Sequence, residues 1–188
     1  DLYGMHWPFK QHKTSRNIKT LPHHDNLKSF GACFGVSGGY ERPMWFALDG
    51  EKAEYDYSYN YQNWYPSAEY ETNNTIKNVG LFDLTPFSKF EIKSDTAHDE
   101  LQKICTANIK NEPGKCVYTH MLNPDGGIET DLTVVCVDNN HFRIISSAAT
   151  RERDKFHIKK YLSKDIELKD ITDDLCVFGL FGPKSRDL

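Results

Sequence analysis

The chain has 188 residues, 38% hydrophobic and 13% aromatic, with 23 basic against 27 acidic side chains and a net charge of −4. That length suits one domain, or two small ones, with ample core. No run of about 18 apolar residues is present to form a membrane-spanning helix, and the basic residues cluster only mildly, at Lys10, Lys13, Arg16 and Lys19, short of the basic face of a nucleic-acid binder. The five cysteines (Cys33, Cys105, Cys116, Cys136, Cys176) form no Cys-x-x-Cys and sit mostly in apolar stretches. They read as reduced thiols in a reducing compartment, not as disulfides or zinc ligands. No metal is expected from His23-His24-Asp25 either, because adjacent side chains diverge. No basic-then-apolar signal segment opens the chain, and no Gly-x-Gly-x-x-Gly follows a strand.

In chain order, residues 1–20 read as a polar approach segment. A short helix from Leu27 stops at Gly31, and a strand follows near residues 32–36. Residues 50–65, rich in tyrosine, asparagine and charge, read as a loop or insertion, though the alternating Tyr55, Tyr57, Tyr59 and Tyr61 also suit an edge strand. Ser67 is placed to cap a helix to about Asn78, with Gly80 as its stop. A strand near residues 88–92 comes next. Asp95 is placed to cap a helix to about Ala107, with Ala97, Leu101, Ile104 and Cys105 on one face. Strands follow near residues 116–122, 128–137 and 142–147, the last two joined by an Asp138-Asn139-Asn140 turn. A helix over about 150–162 turns Ile158, Tyr161 and Leu162 inward, and strands near 166–171 and 175–181 finish the chain. Hairpins with helices returning to the sheet predict an α+β fold with a mainly antiparallel sheet, a ferredoxin-like core with an extra strand.

The hairpin over residues 117–136 carries the most information. Its turn, Asn123-Pro124-Asp125-Gly126-Gly127, is dense in residues with a backbone reason to be there. On the return strand Ile128, Leu132, Val134 and Cys136 alternate with Glu129, Asp131 and Thr133, the period of a half-buried strand. From this pattern alone Asp131 reads first as a solvated strand carboxylate.

The same stretch resembles the signature of the folate-binding aminomethyltransferase family, which includes the T-protein of glycine cleavage and the C-terminal halves of sarcosine and dimethylglycine dehydrogenases. Tyr118, Leu122, Asn123, Gly126, Gly127, Asp131, Leu132 and Val134 meet that signature. Three further blocks agree in order and spacing: Gly80 to Phe87, Ser146 to Asp154, and Val177 to Pro183. His6-Trp-Pro-Phe9, Thr14-Ser-Arg16, Leu21-Pro-His23 and Gly39 to Phe46 are similar to the linker and transferase start of the dehydrogenase group in particular.

The resemblance implies a T-protein-type folate-binding domain: residues 1–20 a linker from an upstream flavin domain, 21–80 the first part of the transferase domain, and 81–188 a ferredoxin-like part. The chain then reads as a piece with sequence missing at both ends. The implied cofactor is tetrahydrofolate, with FAD on the missing upstream domain. The implied chemistry is transfer of a one-carbon unit from an amine-derived iminium. Asp131 is nominated as the catalytic carboxylate, with Phe87, Tyr118, Thr133 and Ser147 lining the folate. Packing alone accounts equally well for Phe87 and Tyr118, as it does for the nearby His120. Thr130 stands where T-proteins commonly carry a first Asp, Ser147 where they frequently carry Asn, and Pro86-Phe87 where they carry His-Met. These departures favour the dehydrogenase branch. A flavin-independent transferase or demethylase, or a folate-binding scaffold without chemistry, are the alternatives. Bacterial cytoplasm or mitochondrial matrix is the expected compartment, with no nucleic-acid or membrane partner. Further folate contacts of the family fall past Leu188, so this stretch holds part of the pocket.

Overall fold

The computed structural model describes residues 7–188; His6 of the approach motif lies outside the described residues. In chain order the elements are α1 (His24–Ser29), β1 (Ala32–Ser37), β2 (Tyr40–Phe46), α2 (Tyr65–Lys77), β3 (Gly80–Asp83), β4 (Ser88–Lys93), α3 (Ala97–Ile104), β5 (Cys116–Leu122), β6 (Ile128–Asp138), β7 (His141–Ser146), α4 (Arg151–Tyr161), β8 (Leu168–Asp170) and β9 (Phe178–Phe181). Two compact units result. One runs to Leu84 and takes back Phe178–Leu188; the other is Thr85–Val177.

In the first unit β1 and β2 form an antiparallel hairpin, and β3 pairs with β9 in a second two-stranded sheet. β2 holds Glu41, a carboxylate only 1% exposed. A buried charge must be paired, and Arg16 supplies a bidentate partner, Nε at 2.6 Å and Nη2 at 2.7 Å, with the Asn17 N–H adding a third bond at 2.7 Å. The guanidinium hydrogen bonds hold the Glu41 carboxyl below its usual range against the opposing pull of burial. This pair ties the approach segment to the hairpin.

Some local expectations for this unit are corrected. Ser67 does not cap α2; it lies inside the helix, which starts two residues earlier with Pro66 in its first turn, and its buried hydroxyl donates to Glu51 at 3.2 Å. Gly80 opens β3 instead of ending the helix, a role taken by Asn78. The tyrosine run is not a strand. Tyr55 and Tyr57 stack with ring centroids 5.2 Å apart, and Tyr59 and Tyr61 face solvent.

The second unit is one five-stranded antiparallel sheet in the order β5-β6-β7-β4-β8. Without β5 the order is that of a ferredoxin-like βαββαβ unit, and β5 is the expected extra strand. Helices α3 and α4 cover one face. Phe90, Ile92, Leu132, Val134, Phe142 and Ile144 point into that layer, where Leu101 of α3 and Ile158 of α4 meet them. Asp95 is exposed and does not cap α3, whose first turn follows Thr96 and which ends at Ile104, short of Ala107. Tyr161 lies at the surface, 37% exposed, while Ile158 and Leu162 are buried as expected.

Candidate functional site

Geometry accounts for Asn123, Gly126 and Gly127 in the β5–β6 turn. The Asn123 side-chain oxygen accepts from the Asp125 N–H at 3.0 Å and the Gly127 N–H at 2.8 Å, an Asx turn closed on both sides. The Asn123 N–H donates to the Gly127 carbonyl at 2.8 Å. Gly126 has φ +82°, the left-handed region that penalises a side chain. At Gly127 a Cβ would lie 2.9 Å from the Asn123 amide, so the second glycine makes room for the first residue of the motif.

Beyond the turn the ladder shifts register between Met121 and Leu122, leaving Glu129 as the extra residue of a bulge. The bulge corrects one expectation: Ile128 is 67% exposed instead of facing the core. From Thr130 onward alternation is strict. Thr130, Leu132, Val134 and Cys136 point to the helix-covered side, and Asp131 and Thr133 to the open side. Thr130 therefore faces away from Asp131's surface.

The ladder fixes what surrounds Asp131. Its cross-strand partner on β5 is His120, and Tyr118 pairs with Thr133. Ser147 follows the last paired residue of β7, Ser146, which lies opposite Leu132, and Phe87 precedes the first paired residue of β4, Ser88, which lies opposite Ser146. Asp131 and His120 thus sit opposite one another at one end of the open face, with Thr133 and Tyr118 one step along, and Phe87 and Ser147 lie just beyond the paired ends of β4 and β7. Of the five residues nominated from the sequence, Asp131, Thr133 and Tyr118 lie on this face, and Phe87 and Ser147 lie outside the strands.

Direct contacts are fewer. The Tyr118 hydroxyl donates to Asp131 Oδ2 at 3.0 Å. That bond, and secondarily partial desolvation, raises the Tyr118 phenol's pKa, so Tyr118 is the donor of the pair. His120, which sequence reasoning left undecided, packs edge-on against the Tyr118 ring with centroids 5.3 Å apart. Its signal was the strand period, which puts residue 120 on the same face as 118. Ser147 accepts from the Ala149 N–H at 3.3 Å and caps the turn into α4, so its hydroxyl has a structural task. Phe87 is 37% exposed and Tyr118 61%. Asp131 itself is exposed. The face can offer a carboxylate to a hydrogen-bond donor, a phenol fixed beside it and ring surface for stacking.

The model of the GCVT N-terminal domain matches residues 23–188. The chain belongs to that family. It is 38% identical over all 188 residues to a 4-methylaminobutanoate oxidase (formaldehyde-forming) of Paenarthrobacter nicotinovorans, covering 23% of that protein. It is 32% identical over 155 residues to the mitochondrial dimethylglycine dehydrogenase of Rattus norvegicus, covering 81% of this chain and 18% of the relative. The chain thus spans less than a quarter of these relatives' length. Among solved structures, the glycine cleavage system aminomethyltransferase T from Bartonella henselae superposes with a TM-score of 0.73 over 90% of this chain and 42% of that one, at 20% identity, which establishes the shared fold. The α+β architecture is that of a GCVT domain.

Proposed function

We propose that the open face around Asp131 is one wall of a tetrahydrofolate site, and that the chain is the one-carbon-transfer portion of a flavin-dependent enzyme acting on an N-methyl amine. Membership of the GCVT family supports the class. The carrying observation is the ladder register that sets Asp131 and Thr133 on the face of β6 away from the helices, with Tyr118 bonded to the carboxylate.

The residues fit a reduced pterin. Its fused ring offers N–H donors that an accessible carboxylate accepts, and a flat face that Tyr118 and Phe87 can cover. When bound, tetrahydrofolate supplies the amine nitrogen that captures an electrophilic one-carbon unit. Asp131 would hold that nitrogen in place and take or relay the one proton released there. Its negative charge favours positive charge developing on the nitrogen, more strongly once the facing wall excludes water. Tyr118, donating to Oδ2, leaves Oδ1 for the ligand and fixes the carboxylate's orientation. The facing wall, an upstream flavin domain and its FAD, and residence in the bacterial cytoplasm or mitochondrial matrix belong to the same proposal.

Asp131→Ala in the full-length protein tests it. Flavin reduction by the amine should persist while methylene-tetrahydrofolate formation falls by about 10²–10⁴, the usual worth of a general acid–base group. If methylene-tetrahydrofolate still forms at the original rate, Asp131 has no part in the chemistry. Loss of flavin reduction as well would show that the residue acts elsewhere.

A further inference from the structure

Lys89 of β4 is fully buried. Lysine is among the residue types least often sealed from water, and methionine or leucine could fill the same volume without desolvating a charge. Its backbone is anchored: the Lys89 N–H donates to Thr172 Oγ1 at 3.0 Å, and its carbonyl accepts from the Ile171 N–H at 2.9 Å. Phe90 and Ile92 of β4 belong to the helix-covered layer, so the strand period turns Lys89 to the opposite face. The ladder register sets it in one row with Ile145, Thr133 and Tyr118.

There the preceding turn meets it. Lys89 Nζ donates to the Thr85 carbonyl at 2.8 Å. That carbonyl belongs to the Thr85–Pro86 peptide, and the Pro86 ring fixes the φ that follows. Thr85 is held by its side chain as well, Oγ1 accepting from the Val177 N–H at 3.2 Å. At the other end of the turn the buried Ser88 hydroxyl donates to the Ser147 carbonyl at 3.0 Å. Phe87 lies between these fastenings. Its backbone is gripped on both sides while its ring stays partly exposed.

We propose that Lys89 is a positioning residue, whose buried ammonium fixes the Thr85–Pro86 peptide and so sets where Phe87 presents its ring to a flat ligand. The inference rests on the folate reading and adds to it a residue that acts through Phe87.

A double-mutant cycle in the full-length protein tests it, read as the KM for tetrahydrofolate in methylene-tetrahydrofolate formation. Phe87→Ala should raise that KM about tenfold, the scale of one lost aromatic contact. Lys89→Met keeps the reach of the side chain and removes the donor. It should raise KM several-fold in the parent protein and not at all in Phe87→Ala, with kcat nearly unchanged in both, the pattern of lost uniform binding. Factors that multiply in the double variant, as two independent structural effects would, overturn the proposal and leave the folate reading standing. So does an unchanged KM in Lys89→Met. Should Lys89→Met fail to fold by circular dichroism, Thr85→Val decides. Loss of the hydroxyl tie to Val177 should raise KM in the parent protein only, and an equal effect in both backgrounds, or none, overturns the proposal. A parent enzyme that forms no methylene-tetrahydrofolate at any tetrahydrofolate concentration would remove the folate reading and this inference with it.

Discussion

The two faces of the five-stranded sheet are built from the same strands and do opposite things. On the covered face Phe90, Ile92, Leu132, Val134, Phe142 and Ile144 are at most 2% exposed and pack against α3 and α4. On the open face the same strands carry Tyr118, Asp131 and Thr133, and an ion pair of Glu91 with Arg143 at 2.6 Å. Leu132 and Asp131 are chain neighbours, yet one is sealed and the other bathed in water. The period of two lets a single strand serve stability with alternate residues and leave the others available for chemistry. Substitutions on the two faces should therefore separate cleanly.

The largest effect is expected on the covered face. Leu132→Ala or Phe142→Ala leaves a cavity in close-packed surroundings and should cost about 3–5 kcal/mol. In a unit of this size that lowers Tm by about 10 °C or more. Thermal unfolding followed by circular dichroism reads it. A shift of only a few degrees would mean that the helices do not seal this layer.

A smaller effect is expected where charge enters that layer. Asp170 of β8 accepts from Arg151 of α4 through Nε and Nη2, both at 2.9 Å, and from Thr172 Oγ1 at 2.7 Å. Burial alone would push its carboxyl up, but the Arg151 and Thr172 hydrogen bonds overturn that and hold it well below the usual carboxylate range. A group depressed on folding stabilises the folded state fully above its unfolded value, about 3.9 for aspartate, and loses that contribution as pH falls toward the folded value. Asp170→Asn should cost about 2 kcal/mol at neutral pH, the worth of hydrogen bonds to a charged group. It should also flatten the acid limb of stability below pH ~4. Denaturant melts between pH 2 and 7 check both. An unchanged acid limb would assign it to other carboxylates, of which Glu41, Glu91 and Glu100 are also depressed.

Smaller again is the turn. Gly126→Ala forces a side chain into a backbone with φ +82° and should cost about 1–2 kcal/mol. Amide exchange should quicken in β5 and β6 and stay unchanged in β4 and β8. Uniform quickening would mean that the hairpin opens only with the whole unit.

How far these features could be read from the sequence depended on what each residue answers to. The strands β5, β6 and β7 follow from alternation alone, because both of their faces have fixed surroundings. Asp131 and Thr133 could be placed on one face by parity, whereas Phe87, Tyr118 and Ser147 were named by the resemblance. What could not be read depends on partners distant in the chain. β2 contains Glu41, Arg42 and Pro43, a poor strand by composition, and it stands because Arg16, 25 residues earlier, neutralises Glu41. The β3–β9 sheet joins residues about a hundred positions apart, with Phe82 and Phe181 edge-on across it. Ser67 and Asp95 look like helix caps by type, but Pro66 fixes the start of α2 and Thr96 precedes α3, so local chemistry named the right neighbourhood and the wrong residue. Ile128 was misassigned because a bulge resets parity for the residues before it.

The smallest effect on stability is expected at the centre of the candidate site. Asp131 and Tyr118 are exposed, and their 3.0 Å hydrogen bond joins two groups that water also satisfies. Asp131→Ala should change unfolding free energy by less than about 0.5 kcal/mol, in contrast to Leu132 next door, and Tyr118→Phe should leave the thermal midpoint unchanged. A carboxylate that contributes nothing to folding, on a strand where threonine has the better propensity, requires another reason to be there. If Asp131→Ala destabilised the protein by more than about 1 kcal/mol, the size of a typical net hydrogen bond, its bond to Tyr118 would be a structural clasp on the β5–β6 hairpin. The division of labour between the two faces would then fail at the residue it was meant to explain.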